Sequence, residues 1–342
     1  MQRLIRPIVV VVLAASSLLV ASGAGASTGS LAKILEGPSY KFATVTSVAA
    51  DAANVWVTNT GANSVTEFSA VTGVVENVFK NKKFGFNGPT RIVDDGHDVW
   101  VVNGEGNSVT EISATTSKLV ALIKGSSYKL NGTSSVVSNG TDVWILNLRG
   151  NALAELRAPN GSFIKTEKVS NGLTRAFTMA LDGTHLWLAG AGINAVSELN
   201  ATSGSFVRLM KGSAYRLDGI NAIASDGHHV WVANDRSNSV TEISATSGKF
   251  IALIKGKQYG FDIITSLVTN GTDVLATNLS TAPKLSYSVT MFDATTGLFG
   301  QLFKGPSYGF NEPEAAAIGS AGSKHAWIAN IGSATVTELK LH

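Results

Sequence analysis

Short apolar runs separated by clusters of Gly, Asn, Asp and Ser recur along the whole chain, and the plainest of them is Asp98-Val99-Trp100-Val101-Val102-Asn103. Its Trp has counterparts at Trp56, Trp144, Trp187, Trp231 and Trp327, and Leu275 fills the one remaining slot. The steps between slots are 44, 44, 43, 44, 44 and 52 residues, which makes seven copies. A unit of about 40 to 45 residues built from short apolar runs and turn residues is the signature of a four-stranded propeller blade. The second copy divides most clearly, with an inner strand A over Thr90–Asp94, strand B over Asp98–Asn103, strand C over Asn107–Ala114 and outer strand D over Leu119–Lys124. The pattern therefore predicts an all-β, seven-bladed propeller of antiparallel four-stranded blades.

The turns carry their own signals. Strands A and B are joined by Asp95-Gly96, Asn139-Gly140, Asp182-Gly183, Asp226-Gly227 and Asn270-Gly271, pairs suited to positive φ at both turn positions. Outer strands end in Gly-x-x-Tyr, as at Gly37-Pro38-Ser39-Tyr40 and Gly125-Ser126-Ser127-Tyr128. The first of these precedes the first Trp, and the chain stops just after a strand C at Thr335–Leu339. Ala32–Glu36 is therefore expected to be strand D of the seventh blade, closing the ring and removing two open sheet edges.

Two further regularities bear on chemistry. Three residues after each Trp slot stands Asn59, Asn103, Asn147, Gly190, Asn234, Asn278 or Asn330. The one exchange of Asn for Gly favours a demand for left-handed backbone, with a ring of ligand-facing Asn side chains as the alternative. Eleven residues after each Trp stands Glu67, Glu111, Glu155, Glu198, Glu242 or Glu338, and the copy without Trp, whose loop is five residues longer, has Met291 in the matching place. A buried indole N–H needs an acceptor and a buried carboxylate needs donors, so the joint loss suggests a polar latch within each blade.

The chain has 342 residues, no Cys, and 27 basic against 24 acidic residues. Arg3 and Arg6 precede an apolar run from Ile8 to Val20, followed by Ala24-Gly25-Ala26. This reads as a secretory signal peptide over residues 1–26, cut after Ala26, with an uncleaved membrane anchor as the alternative. The mature part, residues 27–342, is then one propeller domain, secreted or extracytoplasmic, expected to be monomeric and to lack a membrane span. Its 25 basic and 24 acidic residues give no reason to expect nucleic acid as a partner. Without Cys there is no disulfide framework and no thiolate metal site.

Function is looked for where the copies differ. At the start of strand A the residues are Arg91, Ser134, Arg175, Asn221, Thr265 and Glu314, with Glu312 just before the last, and the B-to-C loops add Glu105, Arg149, Asp235 and Arg236. Irregular charge on a regular scaffold suits a polar pocket at the channel mouth, and also suits a drifting solvated rim. The fourth copy replaces its Gly-x-x-Tyr turn over Lys165–Phe177, and the sixth lengthens its B-to-C loop by five residues around Ser280–Tyr287. Irregular loops are where function concentrates. His228-His229 beside Asp226, and Asp94, Asp95, His97 and Asp98, read as surface turns, with a metal site as the alternative; no metal or cofactor is predicted.

The apolar-Trp-apolar-x-Asn, Asn-Ser-Val-Thr-Glu-Ile and Thr-Gly or Ser-Gly rhythm over residues 29–342 resembles secreted bacterial propellers of the NHL and YVTN-repeat type, and in particular the streptogramin (virginiamycin B) lyase-like group. That resemblance implies ring-opening of a cyclic depsipeptide by elimination, with a histidine base and a magnesium ion near the central channel. The histidines here are His97, His185, His228, His229, His325 and His342. The first five lie in or beside A-to-B turns, opposite the loops that usually surround a propeller's ligand, so no catalytic residue carries over. The expectation is a binding module for a protein, peptide or cell-envelope glycan. The alternative is a lyase or hydrolase of the same type whose base is not histidine.

Overall fold

The computed structural model describes residues 27–168, 176–190, 192–279, 287–319 and 322–342. Residues 1–26, read from the sequence as a leader, Arg175, and most of the two irregular loops lie outside the described residues. Seven four-stranded antiparallel sheets follow one another around a ring. Blade 2 shows the plan: strand A is Pro89–Asp94, B is Asp98–Asn103, C is Ser108–Ser113 and D is Leu119–Ile123. The predicted strands agree to within a residue or so at each end, because alternating apolar and polar positions and turn residues are local properties of the chain.

Blade 7 takes its strands A to C from Pro313–Ile318, His325–Asn330 and Thr335–Leu341, and its strand D from Gly29–Leu35 at the other end of the chain. The two end strands pair antiparallel from Gly29↔Leu341 to Leu35↔Val336. The ring is closed as the sequence predicts, and strand C of blade 7 is not left as an open edge.

The apolar core lies between blades. Trp56 packs with Ile92, Val99 and Val101 of blade 2, Trp100 with Val136, Val143 and Ile145 of blade 3, and Trp327 with Val45, Val55 and Val57 of blade 1. Each Trp slot thus fills the joint with the following blade, and all six indoles are at most 2% exposed. Burying side chains of this size is what holds successive sheets face to face.

Three local expectations are corrected. In the A-to-B turns only the glycines have positive φ, for example 87° at Gly96 and 79° at Gly140. The preceding Asp or Asn instead accepts backbone N–H groups through its side chain: Asp95 Oδ1 from His97 and Asp98 at 3.1 and 2.9 Å, Asn139 Oδ1 from Thr141 and Asp142 at 3.0 and 2.8 Å.

The Asn three residues after Trp does not adopt left-handed backbone. Asn59 has φ −110°, and none of its counterparts, Gly190 included, has positive φ. Its side chain is a buried clamp. Asn59, Asn103, Asn234, Asn278 and Asn330 donate through Nδ2 to Thr66, Thr110, Thr241, Thr290 and Thr337 on strand C, at 2.9 to 3.0 Å. Asn147 and Asn234 accept from the backbone of the D-to-A loop at Asn131 and Asp218, at 3.1 and 3.0 Å.

Trp and Glu stand directly opposite each other on strands B and C in the six copies that have them, as at Trp100↔Glu111 and Trp327↔Glu338, but the indole does not bond the carboxylate. In blades 2 and 4 it donates to the turn aspartate instead, Trp100 Nε1 to Asp95 Oδ2 at 3.0 Å and Trp187 Nε1 to Asp182 Oδ2 at 2.7 Å. The same oxygens accept Ser138 Oγ, at 2.5 Å, and Ser225 Oγ from the next blade. In these two blades the latch therefore runs between blades, while the indole N–H groups of Trp56, Trp144, Trp231 and Trp327 have no hydrogen-bond partner among the described residues.

Candidate functional site

Seven strands A line the central channel, and six of them carry a bulge at their second residue, where the register slips between Val45 and Ser47, Pro89 and Arg91, Thr133 and Ser135, Ile220 and Ala222, Ile264 and Ser266, and Pro313 and Ala315. A bulge sets two residues against one on the partner strand and turns both side chains toward one side. Asn221, Thr265 and Glu314 are bulge residues equivalent to Thr46, Thr90 and Ser134. Arg91 is one position later, equivalent to Ser47 and Ser135, so the sequence-based equation of Arg91 with Ser134 was off by one residue.

Several bulge side chains pin the next blade. Asn221 Nδ2 donates to Ile264 O at 3.0 Å, Thr265 Oγ1 to Pro313 O at 2.7 Å and Thr46 Oγ1 to Pro89 O at 3.3 Å. In blade 7 the same position is Glu314, which as a carboxylate has no proton to donate. Among the described residues it has no hydrogen bond or ion pair.

The mouth of the channel is a pocket of about 180 Å³ whose polar lining includes Arg91, Asn221, Thr265, Glu314, Ser47 and Ser135. Arg91 makes one hydrogen bond, from Nη1 to the neighbouring Thr90 O at 3.1 Å. It and Glu314 flank blade 1 and are not paired with each other. Burial raises the Glu314 carboxyl above its usual range, Arg91 across the mouth partly offsets this, and Glu312 reinforces it.

Deeper along the axis lies a second chamber of about 420 Å³, walled mainly by aliphatic side chains and reaching Asp94, Ser225 and Thr269 at the far end. The two spaces share Val48, Ile92, Ile223, Leu267 and Ala316, an apolar collar between them. At the far end burial pushes the Asp94 carboxyl up to about 6, opposed by a bond from the Gly96 amide and reinforced by Asp51, Asp95 and Asp98.

Of the nine candidate residues read from the sequence, the pocket brings together Arg91, Asn221 and Glu314. Glu105, Arg149 and Arg236 pack their stems against Gly88, Gly132 and Gly219 in the D-to-A loops of their own blades, where a Cβ would come within 2.7 to 2.8 Å. Glu312 is exposed at positive φ, and Asp235 is half-buried, its carboxyl raised to about 6 by burial against a backbone bond at Ile264. Neither lines the pocket. Arg175 lies outside the described residues. The missed lining residues are Ser47, Ser135, Phe177 and Met179, whose only signal was their place in strand A.

Three of the histidines serve the buried glutamates on the far face. His325 Nδ1 lies 2.6 Å from Glu338 Oε1, His185 Nε2 3.8 Å from Glu198, and His229 Nε2 3.7 Å from Glu242. A magnesium site of the kind the family resemblance implies needs several oxygen ligands on one face. The described part of the pocket lining holds one carboxylate, Glu314, and no three Asp, Glu or His side chains converge among the described residues, so they do not fit such a site.

No family model and no curated protein matches the sequence. In three dimensions the chain is similar to a solved structure described as streptogramin B lyase, at 14% sequence identity and a TM-score of 0.69, over 92% of this chain and 98% of that one, a likeness that shows the seven-bladed propeller fold.

Proposed function

We propose that this protein is a secreted binding module that holds its ligand at the channel mouth. The observation that carries this reading is the pair of opposite charges, Arg91 and Glu314, which line one pocket at the channel mouth without bonding each other. An exposed guanidinium and a half-buried carboxylate without a hydrogen bond, both lining one concave pocket, are placed where a ligand can complete them. Secretion follows from the leader over residues 1–26, and N-terminal sequencing of protein from the culture medium should begin at Ser27.

The test is a thermal-shift screen of the mature protein against peptides, envelope glycans and divalent ions, since a ligand that binds only the folded state raises Tm. Compounds that raise Tm should lose that effect in the R91Q/E314Q double variant. Hits that shift both proteins equally would move the site away from the mouth.

A second reading, a lyase or hydrolase without a histidine base, is favoured by one observation: the raised Glu314 carboxyl is a candidate general base in a protected pocket. The likeness to a streptogramin lyase adds the fold. Ring-opening of a cyclic depsipeptide by the wild type, lost in Glu314→Gln, would support this reading over simple binding.

A further inference from the structure

Arg91 and Glu314 stand on blades 2 and 7, either side of blade 1, and the blade 1 side chain nearest in register, Thr46, is already committed. Its hydroxyl lies 3.1 Å from Thr58 Oγ1, 2.7 Å from Thr60 Oγ1 and 3.3 Å from Pro89 O. Nothing on the intervening blade neutralises either charge. Asn221 spends its amide on Ile264 O, so what it can still offer the pocket is its Oδ1 acceptor. Among the described residues the mouth thus presents one cationic fork, the Glu314 carboxylate, the Asn221 amide oxygen and the hydroxyls of Ser47, Ser135 and Thr265, above an aliphatic collar formed by Val48, Ile92, Ile223, Leu267 and Ala316.

A monoanion would meet Arg91 and be repelled by Glu314, and a monocation would face the reverse. A neutral sugar would bring a charge to neither group and would cover the half-buried Glu314 without a cation bonded to it, which is costly. The one small-molecule class that satisfies both groups carries an ammonium and a carboxylate together, with an aliphatic part to enter the collar.

We propose that the ligand of the mouth is a small zwitterion with an aliphatic side chain, a free α-amino acid or the two ends of a short unblocked peptide, its carboxylate on Arg91 and its ammonium on Glu314 and Asn221 Oδ1. A planar guanidinium takes a carboxylate in a two-point fork. The ammonium replaces the water that Glu314 gives up by burial, and the aliphatic side chain covers the collar. This assignment rests on the binding-module reading and narrows its ligand.

The experiment is isothermal titration of the mature protein with L-leucine and with dileucine, each in free, N-acetylated and C-amidated form, repeated on R91Q and E314Q after both variants are shown to keep the wild-type far-UV spectrum. The expected result is saturable binding of a free zwitterion, weakened roughly tenfold or more by blocking either end, the scale of one lost charge-assisted bond. R91Q should stop discriminating against the amide and E314Q against the acetylated form. Leucine binding alone identifies an amino acid, and dileucine binding alone a peptide. Absence of saturable heat from both free compounds in folded wild type, or affinity indifferent to blocking, would overturn the zwitterion. If a glycan from the thermal-shift screen still depends on Arg91 and Glu314, the module reading stands without it; if no ligand depends on them, both readings fall.

Discussion

Lys33 Nζ lies 3.1 Å from Glu338 Oε2, joining the first strand of the chain to the last by an ion pair in addition to the ladder between them. The pair belongs to a series. Each buried glutamate on strand C faces a strand D residue across the ladder: Asn77, Ala121, Lys165, Arg208, Ala252 and Lys33 against Glu67, Glu111, Glu155, Glu198, Glu242 and Glu338. Four of these strand D residues bond their carboxylate directly. Lys33 supplies for blade 7, from the other end of the chain, what Lys165 and Arg208 supply within their own blades.

Ring closure can be tested through this strand. Deleting residues 27–36 should expose the edge of the last strand and give an aggregation-prone product. The milder Lys33→Met should remain monomeric and lose roughly 1 to 3 kcal/mol in chemical denaturation, since Glu338 then keeps only His325. Light scattering and denaturation curves decide this, and a monomeric deletion protein with unchanged Tm would remove the closing strand from the stability of the ring.

Asp95 is the hub between blades 2 and 3, accepting Trp100 Nε1 and Ser138 Oγ through one oxygen and two backbone amides through the other. Asp95→Ala strands a buried indole N–H and a turn, so it should destabilise by roughly 1 to 3 kcal/mol. Asp95→Asn keeps the amide acceptor and should cost less. Asparagine serves the same turn at Asn139 but sets its Nδ2 donor against Trp100 Nε1–H, so equal losses in the two variants would mean that the latch to Trp100, and not the turn, sets the stability.

What was legible in the sequence, and what was not, divides by the range of the interactions. Strands, turns and blade number follow from local alternation and from the Trp and Glu spacing, each of which is repeated in most copies. The role of Asn103 was misread because a side-chain clamp to Thr110 and a requirement for left-handed φ both appear as a recurring Asn. The exchange at Gly190 then pointed the wrong way. A bulge is a shift of one residue, so aligning Arg91 with Ser134 instead of Ser135 looked equally regular. Arg91 and Glu314 occupy different positions of their bulges and both line the mouth, which is why both were still found. Glu105, Arg149 and Arg236 read as a charged rim because nothing in their own loops shows that Gly88, Gly132 and Gly219 lie beneath their stems. The recurrence of those glycines in the D-to-A loops was the available signal.

Glu111 is the member of the glutamate series left without compensation. It is 0% exposed, both its oxygens lack partners, Ala121 faces it where Lys165 faces Glu155, and Asp98 occupies the strand B position that His185, His229 and His325 hold in their blades. Burial, reinforced by Asp98 and Asp95, pushes its carboxyl from 4.5 up to about 8. With the folded value raised, the native state holds a proton that the unfolded chain has released between these two pH values. Stability is therefore fully present below about 4.5, falls as pH rises through the window, and stops falling above about 8. Glu111→Gln should remove that slope and melt higher than the wild type at pH 8.5. Ala121→Lys should do the same by another route, because the lysine supplies the cation that blades 3, 4 and 7 already have and Gly161 leaves the covering turn of blade 3 without a side chain, as Gly204 and Gly248 do over Lys165 and Arg208. Melting curves of the three proteins from pH 5 to 9 check this. A wild-type slope unchanged in both variants would show that Glu111 is ionised and solvated in the folded state.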